Sequence, residues 1–259
     1  MDKSGNVVWE KYNVKGSKKM KKKISFLILL CLIFAAVWSK APAVVAASKA
    51  QYRIVTEQRT WKDGKKVRGI VSFQYPLLKG NSKAVEKINE TLKKAAEDYF
   101  ESESAKNLKE YTLEAIAENR FYDESEQYYF ETSCSVTYNK NNVISIGMTE
   151  RWYAGGVSNH NEYGYTFDLK TGKQLSITDV VKGNSKEVKN KILAAAKQYF
   201  QGEGSGATAN WKEIEPIIKK MKLAKMKFYL TPGKANICFG SYDLVYNFSA
   251  CFDVESIYK

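Results

Sequence analysis

The pattern of apolar and polar positions changes several times beyond residue 50. Residues 52–60 and 66–75 are rich in β-branched and aromatic side chains and favour two strands. Asp63-Gly64 lies between them and is a strong hairpin signal. Pro76 has no backbone N–H, so we expect it to end the second strand.

Two later segments show helical spacing, and each begins after the sequence KGNSK, at 79–83 and at 182–186. The apolar positions recur every three or four residues, at Val85, Ile88, Leu92, Ala95 and Tyr99, and again at Val188, Ile192, Ala195 and Tyr199. Asn81 or Ser82 is expected to cap the first helix. Asn184 with Glu187 three residues later approximates a capping box for the second.

The remaining segments favour further strands with short connections. The predicted strands are residues 111–122, 127–139, 143–153, 162–169, 225–230, 235–239 and 247–255, with turns at 123–126, 139–142, 170–173 and 231–234. Residues 176–181 indicate a helical turn, and 201–210 a flexible loop. A helix is expected over 211–221, where Pro216 is predicted to kink or split it.

These elements predict an α+β fold in which antiparallel β-sheets pack against two long amphipathic helices. The two KGNSK copies favour two related helix-plus-sheet subdomains, at 48–175 and 176–259, within one module. Repeated capping signals in a lysine-rich chain are the alternative explanation. If the repeat is real, the two helices should occupy equivalent places against their sheets.

Residues 1–47 have the layout of a secretory signal peptide: a basic stretch, an apolar run over 24–38 and small residues before Ser48. An uncleaved membrane anchor is the alternative. Met20 is a candidate start, because a complete leader follows it. Export to the extracellular space or the cell surface is therefore expected.

Net charge and cysteine content narrow the classes of protein to which the chain could belong. The chain has a formal net charge of +13, but residues 1–47 carry nine Lys against two acidic residues, so about +6 remains. No nucleic-acid motif accompanies that charge. Cys238 and Cys251 either form a bridge or remain buried thiols, and Cys134 is left over. No cysteine–histidine cluster suggests a metal, so no cofactor is predicted.

Catalytic motifs are missing from the sequence. His160 is the single histidine, and no HExxH, GxSxG or P-loop sequence occurs. Two-carboxylate chemistry needs no histidine, and its candidates are Glu150, Glu162 and Asp168. We assign these acids structural roles and predict that the protein is not an enzyme.

The stretch Trp152-Tyr153-Ala154-Gly155-Gly156 with VSNHN after it predicts a binding loop, since aromatic platforms beside polar tips suit sugars or a protein partner. The candidate binding residues are Trp152, Tyr153, Gly155, Gly156, Asn159, His160, Tyr163 and Tyr165. A wide loop that only joins two strands is the alternative.

The same region resembles the extracellular domain of the bacterial anti-sigma-V factor, and the N-terminal module of certain peptidoglycan deacetylases, over about residues 67–254. The motifs that carry the resemblance are Tyr-x-Gly-Gly and Asp-Leu-x-Thr-Gly, matched by Tyr153, Gly155, Gly156, Asp168, Leu169, Thr171 and Gly172, with a later Tyr242. Val157 and Ser158 stand where the family usually has Ala-His.

The resemblance implies a non-catalytic module of a bacterial envelope, either secreted or membrane-tethered. Its ligand would be cell-wall glycan or an exported protein such as lysozyme. An anchored sensor or inhibitor that acts through a protein partner is the alternative. A cell-wall-modifying enzyme with an unrecognised site is a third reading.

Overall fold

The computed structural model describes residues 49–156, 158–202, 210–244 and 249–259. The predicted signal or anchor segment and most of the predicted loop at 201–210 lie outside these residues. Among the described helices, none is long and apolar enough to cross a membrane.

Five strands form one twisted sheet in the order in which they follow along the chain. They are β1 (Tyr52–Asp63), β2 (Lys66–Leu78), β3 (Tyr128–Lys140), β4 (Val143–Tyr153) and β5 (Ser158–Asp168). All neighbouring pairs are antiparallel except β2 and β3, which run parallel. A parallel pair needs a long crossover, and two helices supply it.

The crossover helices are α1 (Lys83–Phe100) and α2 (Glu103–Ala117), and they cover one face of the sheet. Ser82 and Ser102 cap them, each accepting from the backbone N–H three residues later. A buried core lies between helices and sheet, and its fully buried members include Phe73, Ile88, Leu92, Leu108, Ile144, Ile146 and Phe167.

The chain then forms a second, three-stranded antiparallel sheet: β6 (Lys227–Thr231), β7 (Lys234–Phe239) and β8 (Ala250–Glu255). Before it come α3 (Ile177–Val180), α4 (Ser185–Gln201) and α5 (Trp211–Lys220), followed by a 3₁₀ turn at Leu223–Lys225. These elements share a second core, which includes Ile177, Val188, Ile192, Ile214, Ile218, Leu230 and Ile237. A disulfide joins Cys238 to Cys251 across β7 and β8, and Cys134 is free.

The α+β fold is confirmed, and so are the first hairpin, the two capped amphipathic helices and the three closing strands. Helix α5 runs unbroken through Pro216, so the predicted split does not occur. The Asn184–Glu187 capping box is present: the Asn184 side chain accepts from the N–H of Glu187, and the Glu187 carboxylate accepts from the N–H of Asn184.

The strand predicted at 111–122 is wrong, because most of it belongs to helix α2. The buried positions Ala105, Leu108, Thr112 and Ala115 are spaced three or four apart and face the sheet. Thr112 suits a helix here because its hydroxyl donates to Leu108 O at 2.7 Å. A Cβ on Gly69 of β2 would lie 2.5 Å from that hydroxyl, so close packing of α2 on β2 outweighs local β propensity.

The strand boundaries at Pro76 and Glu162 are also wrong. Strand β2 continues through Pro76, which pairs with Ile54 of β1. The β2–β3 pairing has ended by then, at Ser72 opposite Glu131, so β2 has lost one neighbour and tolerates a missing N–H. Strand β5 begins at Ser158, four residues before the predicted start, because its pairing with β4 extends to Ser158 opposite Tyr153.

The two KGNSK copies share a backbone feature but not a cap. Gly80 and Gly183 have φ angles of +131° and +130°. The cap is Ser82 in the first copy and Asn184 in the second, which is one position earlier in the motif. Helix α1 packs on β2 and α4 packs on β8. The division into related subdomains stays a prediction.

Small residues let the two sheets approach each other. Ser145 pairs with Thr166 and Gly147 with Gly164 across β4 and β5. A Cβ on Gly164 would lie 2.6 Å from Tyr229 Cβ and 2.7 Å from Phe228 O of strand β6. Strand β6 therefore lies against β4 and β5 on the face opposite the helices, and a cleft opens beside this junction.

Candidate binding cleft

A cleft of about 610 Å³ lies where β5, helix α1 and the segments around β6 meet. We call it the tyrosine cleft, after Tyr99, Tyr163 and Tyr165, which line it. Its other lining residues include Glu150, Asn161, Glu162, Gln174, Lys227, Gly240, Ser241 and Asp243. It combines aromatic, amide and carboxylate groups in a volume suited to a small ligand.

Three phenols line the cleft as protonated hydrogen-bond donors. Burial, and then the nearby Glu150 carboxylate, raises the pKa of Tyr165 to about 12 and raises that of Tyr99 further. Burial, with Tyr165 and Glu150 beside it, likewise raises the pKa of Tyr163. The Tyr99 side chain stacks on Phe130 at 4.1 Å, which fixes its ring. Its hydroxyl has no hydrogen-bond partner within the described part of the chain.

An amide holds the polar end of the cleft together. Asn161 Nδ2 donates to Glu150 Oε1 at 2.8 Å, and Asn161 Oδ1 accepts from Ser241 N at 2.8 Å. These bonds join adjacent strands β4 and β5 to the segment 240–243. That segment is closed by a bond from Gly240 N to Asp243 Oδ2 at 2.7 Å. The Glu150 carboxylate is thereby held beside the tyrosines.

Tyr242 lies on this segment with its side chain in solvent. Its φ angle is +69°, a left-handed backbone conformation that costs free energy for a non-glycine residue. Its relative exposure is 66 %, which is high for a large aromatic residue. Gly240, Ser241 and Asp243 around it line the cleft, so Tyr242 belongs to a segment that borders the cleft, although Tyr242 itself does not line it.

Cationic and acidic groups also line the cleft. Lys227 Nζ is 5.7 Å from the centre of the Tyr163 ring, within the range of a cation–π contact. Glu162 Oε1 is 3.7 Å from His160 Nε2, too far for a hydrogen bond, and both side chains are partly exposed. The cleft thus offers donors, acceptors and both signs of charge.

The cleft brings together two of the predicted binding residues, Tyr163 and Tyr165. Trp152 and Tyr153 of the predicted binding loop end β4, and Asn159 and His160 belong to β5, so these residues lie on strands and their binding role stays a prediction. Their register pairs Trp152 with Asn159 and Arg151 with His160.

The aromatic residues of the predicted loop pack against other rings. The Trp152 ring lies 6.2 Å from that of Tyr111, and the Tyr153 ring lies 5.5 Å from that of Tyr129. Gly155 and Gly156 adopt φ angles of +65° and +115° in the turn. A Cβ on Gly155 would lie 2.5 Å from the Tyr128 hydroxyl, so the glycine permits a close approach.

The three candidate acids have separate surroundings. Asp168 Oδ1 accepts from Lys170 N and Thr171 N at 2.9 and 2.7 Å, and from the Thr171 hydroxyl, so it closes the turn after β5. Glu150 is bonded to Asn161, and Glu162 faces His160. Glu162 also lies near Cys238 and Cys251, with the possible ligand atoms within 4.8 Å of one another. The sulfurs are joined in a disulfide and so are not thiolate ligands.

Several residues of the cleft are not among the binding residues predicted from the sequence. Glu150 was considered for catalysis only, and Asn161, Lys227 and Ser241 were not singled out. The alternation Asn161, Tyr163, Tyr165 was a usable signal, because residues two apart on a strand share a face. Lys227 and Ser241 reach the cleft only through tertiary packing, and no local sequence pattern marks them as cleft residues.

Comparison with known proteins supports the fold and part of the resemblance. Residues 64–158 match the family model described as deacetylase PdaC, a segment that runs from the first hairpin to the start of β5. No curated protein matches the chain.

Two solved structures share the fold. A DUF3298 family protein from Pseudomonas aeruginosa PAO1 is 12 % identical, with a TM-score of 0.50. A member of the DUF3298 family from Bacteroides fragilis NCTC 9343 is 15 % identical, with a TM-score of 0.51. Each comparison covers 81 % of this chain and 92 % of the other. The chain is thus similar to the deacetylase PdaC family over residues 64–158 and shares its fold with DUF3298 proteins.

Proposed function

We propose that the chain is a non-catalytic module of a bacterial cell envelope, and that it binds cell-wall glycan in the tyrosine cleft. The observation that carries this proposal is Tyr242, an exposed residue with a left-handed backbone on the segment 240–243 that borders the cleft. Backbone strain of this kind concentrates at ligand sites. An exposed aromatic ring beside a cleft suits the apolar face of a sugar.

The lining of the cleft fits the rest of a sugar. Hydroxyl and acetamido groups need both donors and acceptors at fixed positions. Protonated phenols of Tyr163 and Tyr165 supply donors, and the Glu150 carboxylate supplies an acceptor held in place by Asn161. Lys227 adds a cation for the carboxylates of a peptidoglycan stem.

The surroundings of two of the candidate acids support a binding role without catalysis. A two-carboxylate glycosidase needs one protonated acid and one ionised acid facing a common bond. Glu150 already accepts from Asn161, and Asp168 is used by its own turn. Export rests on the apolar and small-residue pattern of residues 1–47.

The test is retention of the purified full chain on insoluble peptidoglycan. We expect the unmodified chain to be retained and Tyr242→Ala to bind at least tenfold more weakly, because the exposed ring is lost. Tyr122→Ala is the matched control: that side chain is 96 % exposed and does not line the cleft. It should bind like the parent.

Parallel measurements separate the alternatives. Retention on immobilised lysozyme, with none on peptidoglycan, would replace glycan with a protein partner and favour the anchored sensor or inhibitor. A change in muropeptide composition after incubation would show an enzyme. Equal retention of the Tyr242→Ala and Tyr122→Ala variants would remove the cleft from the proposal.

A further inference from the structure

Strand β1 forms an open edge of the five-stranded sheet within the described chain. Strand β1 pairs with β2 on one side only, and none of its residues is buried. Tyr52 and Ile54 are large apolar residues with 37 % and 42 % exposure. A long edge strand presents unpaired N–H and C=O groups to any chain that fits.

The two edge strands of this sheet differ in whether other parts of the described chain cover them. The edge at β5 is covered, since Asn161 accepts from Ser241 N and Gly164 lies against Phe228 O. At β1 the described chain supplies no covering strand. The register slip at Trp61/Lys62 leaves Arg68 of β2 as the extra residue, so β1 itself stays regular and free of a bulge.

We infer that β1 is a homodimer interface, in which two copies pair their β1 strands antiparallel about a twofold axis and form one continuous sheet. An axis perpendicular to the sheet keeps equivalent faces on the same side, so only registers that pair residues of the same face are allowed. This surface is distinct from the tyrosine cleft, and the inference does not depend on the proposed function.

One register satisfies the charges along the strand. With Gln58 opposite Gln58 of the second copy, Arg53 lies opposite Asp63, and Glu57 lies opposite Arg59. Opposite charges directly across an antiparallel pair are stabilising. Because the axis repeats each pair, four ion pairs form along the strand. Arg59 keeps its bond to Glu101, because a guanidinium has further donors.

The apolar positions agree with the same register. Val55 lies opposite Trp61 of the second copy, on the face where both residues already border the buried core. Thr56 lies opposite Thr60, a pairing that favours strands. Both pairs lie between the ion pairs, so the apolar contact is flanked by charge.

The neighbouring registers are excluded by repulsion. Shifts toward the start of β1 set Glu57 opposite itself, or Arg53 opposite Arg59. Shifts toward its end set Arg59 opposite itself, or Glu57 opposite Asp63. Like charges directly opposite are destabilising. The charge order of β1 therefore admits a second copy in one long register and discourages unspecific edge pairing.

Disulfide capture tests the register in the full chain, with Cys31→Ser and Cys134→Ser removing the two cysteines outside the Cys238–Cys251 disulfide. Gln58→Cys places two thiols opposite each other at the axis, within disulfide reach, and should give a covalent dimer on mild oxidation. Thr56→Cys is the matched control. It lies on the same face, but its partner position is Thr60, so it should stay monomeric alone and crosslink when mixed with Thr60→Cys.

Sedimentation tests the charges without a crosslink. Arg53→Asp sets two carboxylates opposite each other, and we expect at least a tenfold rise in the dimer dissociation constant. The double variant Arg53→Asp with Asp63→Arg should restore association. A parent chain that stays monomeric at 100 µM, or equal crosslinking by Gln58→Cys and Thr56→Cys alone, would overturn the proposal.

Discussion

At the scale of single residues, a buried hydroxyl joins the two sheets. Ser145 is fully buried, and its Oγ accepts from Leu230 N at 2.8 Å and contacts Thr166 Oγ1 at 2.8 Å. Strand β6 thus has one of its backbone donors satisfied by a side chain of the other sheet. A buried donor without an acceptor costs more free energy than the bond contributes.

Replacing Ser145 with Ala should therefore lower the free energy of unfolding by about 1–3 kcal/mol, because the buried Leu230 N–H loses its acceptor. Urea unfolding followed by circular dichroism measures the change. Ser135→Ala is the control, since Ser135 is an exposed residue of β3. Equal losses in the two variants would contradict a special role for the Ser145 bond.

At the scale of elements, the sequence KGNSK precedes both α1 and α4, but a different residue of it caps each helix. Asn184 Oδ1 accepts from the N–H groups of Lys186 and Glu187 at 3.0 and 3.1 Å. Asn81 holds the same motif position before α1, but the cap there is Ser82. The difference follows from Glu187, which closes the capping box, where the first copy has Ala84.

We expect Asn184→Ala to destabilise the protein by about 1 kcal/mol, the usual cost of losing an N-cap side chain. Asn81→Ala should change stability by less than about 0.5 kcal/mol, as an exposed position outside the cap does. Thermal unfolding of the two variants side by side gives the comparison. A larger loss for Asn81→Ala would show that the caps are assigned to the wrong residues.

At the scale of the whole molecule, the tyrosine cleft makes stability depend on alkaline pH. Burial raises the folded-state pKa of Tyr165 to about 12 from an ordinary value of 10.0, and raises those of Tyr99 and Tyr163 as well. The unfolded chain loses these protons near pH 10, while the folded chain keeps them. The stabilisation is therefore complete below pH 10 and is lost as pH rises from 10 toward 12.

Urea unfolding at pH 8, 10 and 11 should show an unfolding free energy that falls above pH 10. Tyr165→Phe should reduce that fall, since the phenol that ionises only after unfolding is gone. Tyr122→Phe serves as the control, because Tyr122 is exposed. A pH profile identical for parent and Tyr165→Phe would mean that Tyr165 ionises equally in both states.

Much of the fold was predictable, because its signals are local. The Asp63-Gly64 turn, the strand over 143–153 and the Asn184–Glu187 capping box each depend on neighbours a few residues apart. The segment 111–122 was not predictable in this way. Its tyrosine, threonine and isoleucine favour a strand locally, whereas packing on the sheet, with Thr112 against Gly69, favours the helix.

For the cleft, the sequence by itself determined that Asn161, Tyr163 and Tyr165 share one face of a strand, because strand geometry has a period of two. Only the tertiary structure decided which of them face a shared space. Lys227, Ser241 and Asp243 lie more than sixty positions further along the chain, and they reach the cleft because β6 packs over Gly164. Contacts across such distances depend on the packing of whole sheets, which no local pattern records.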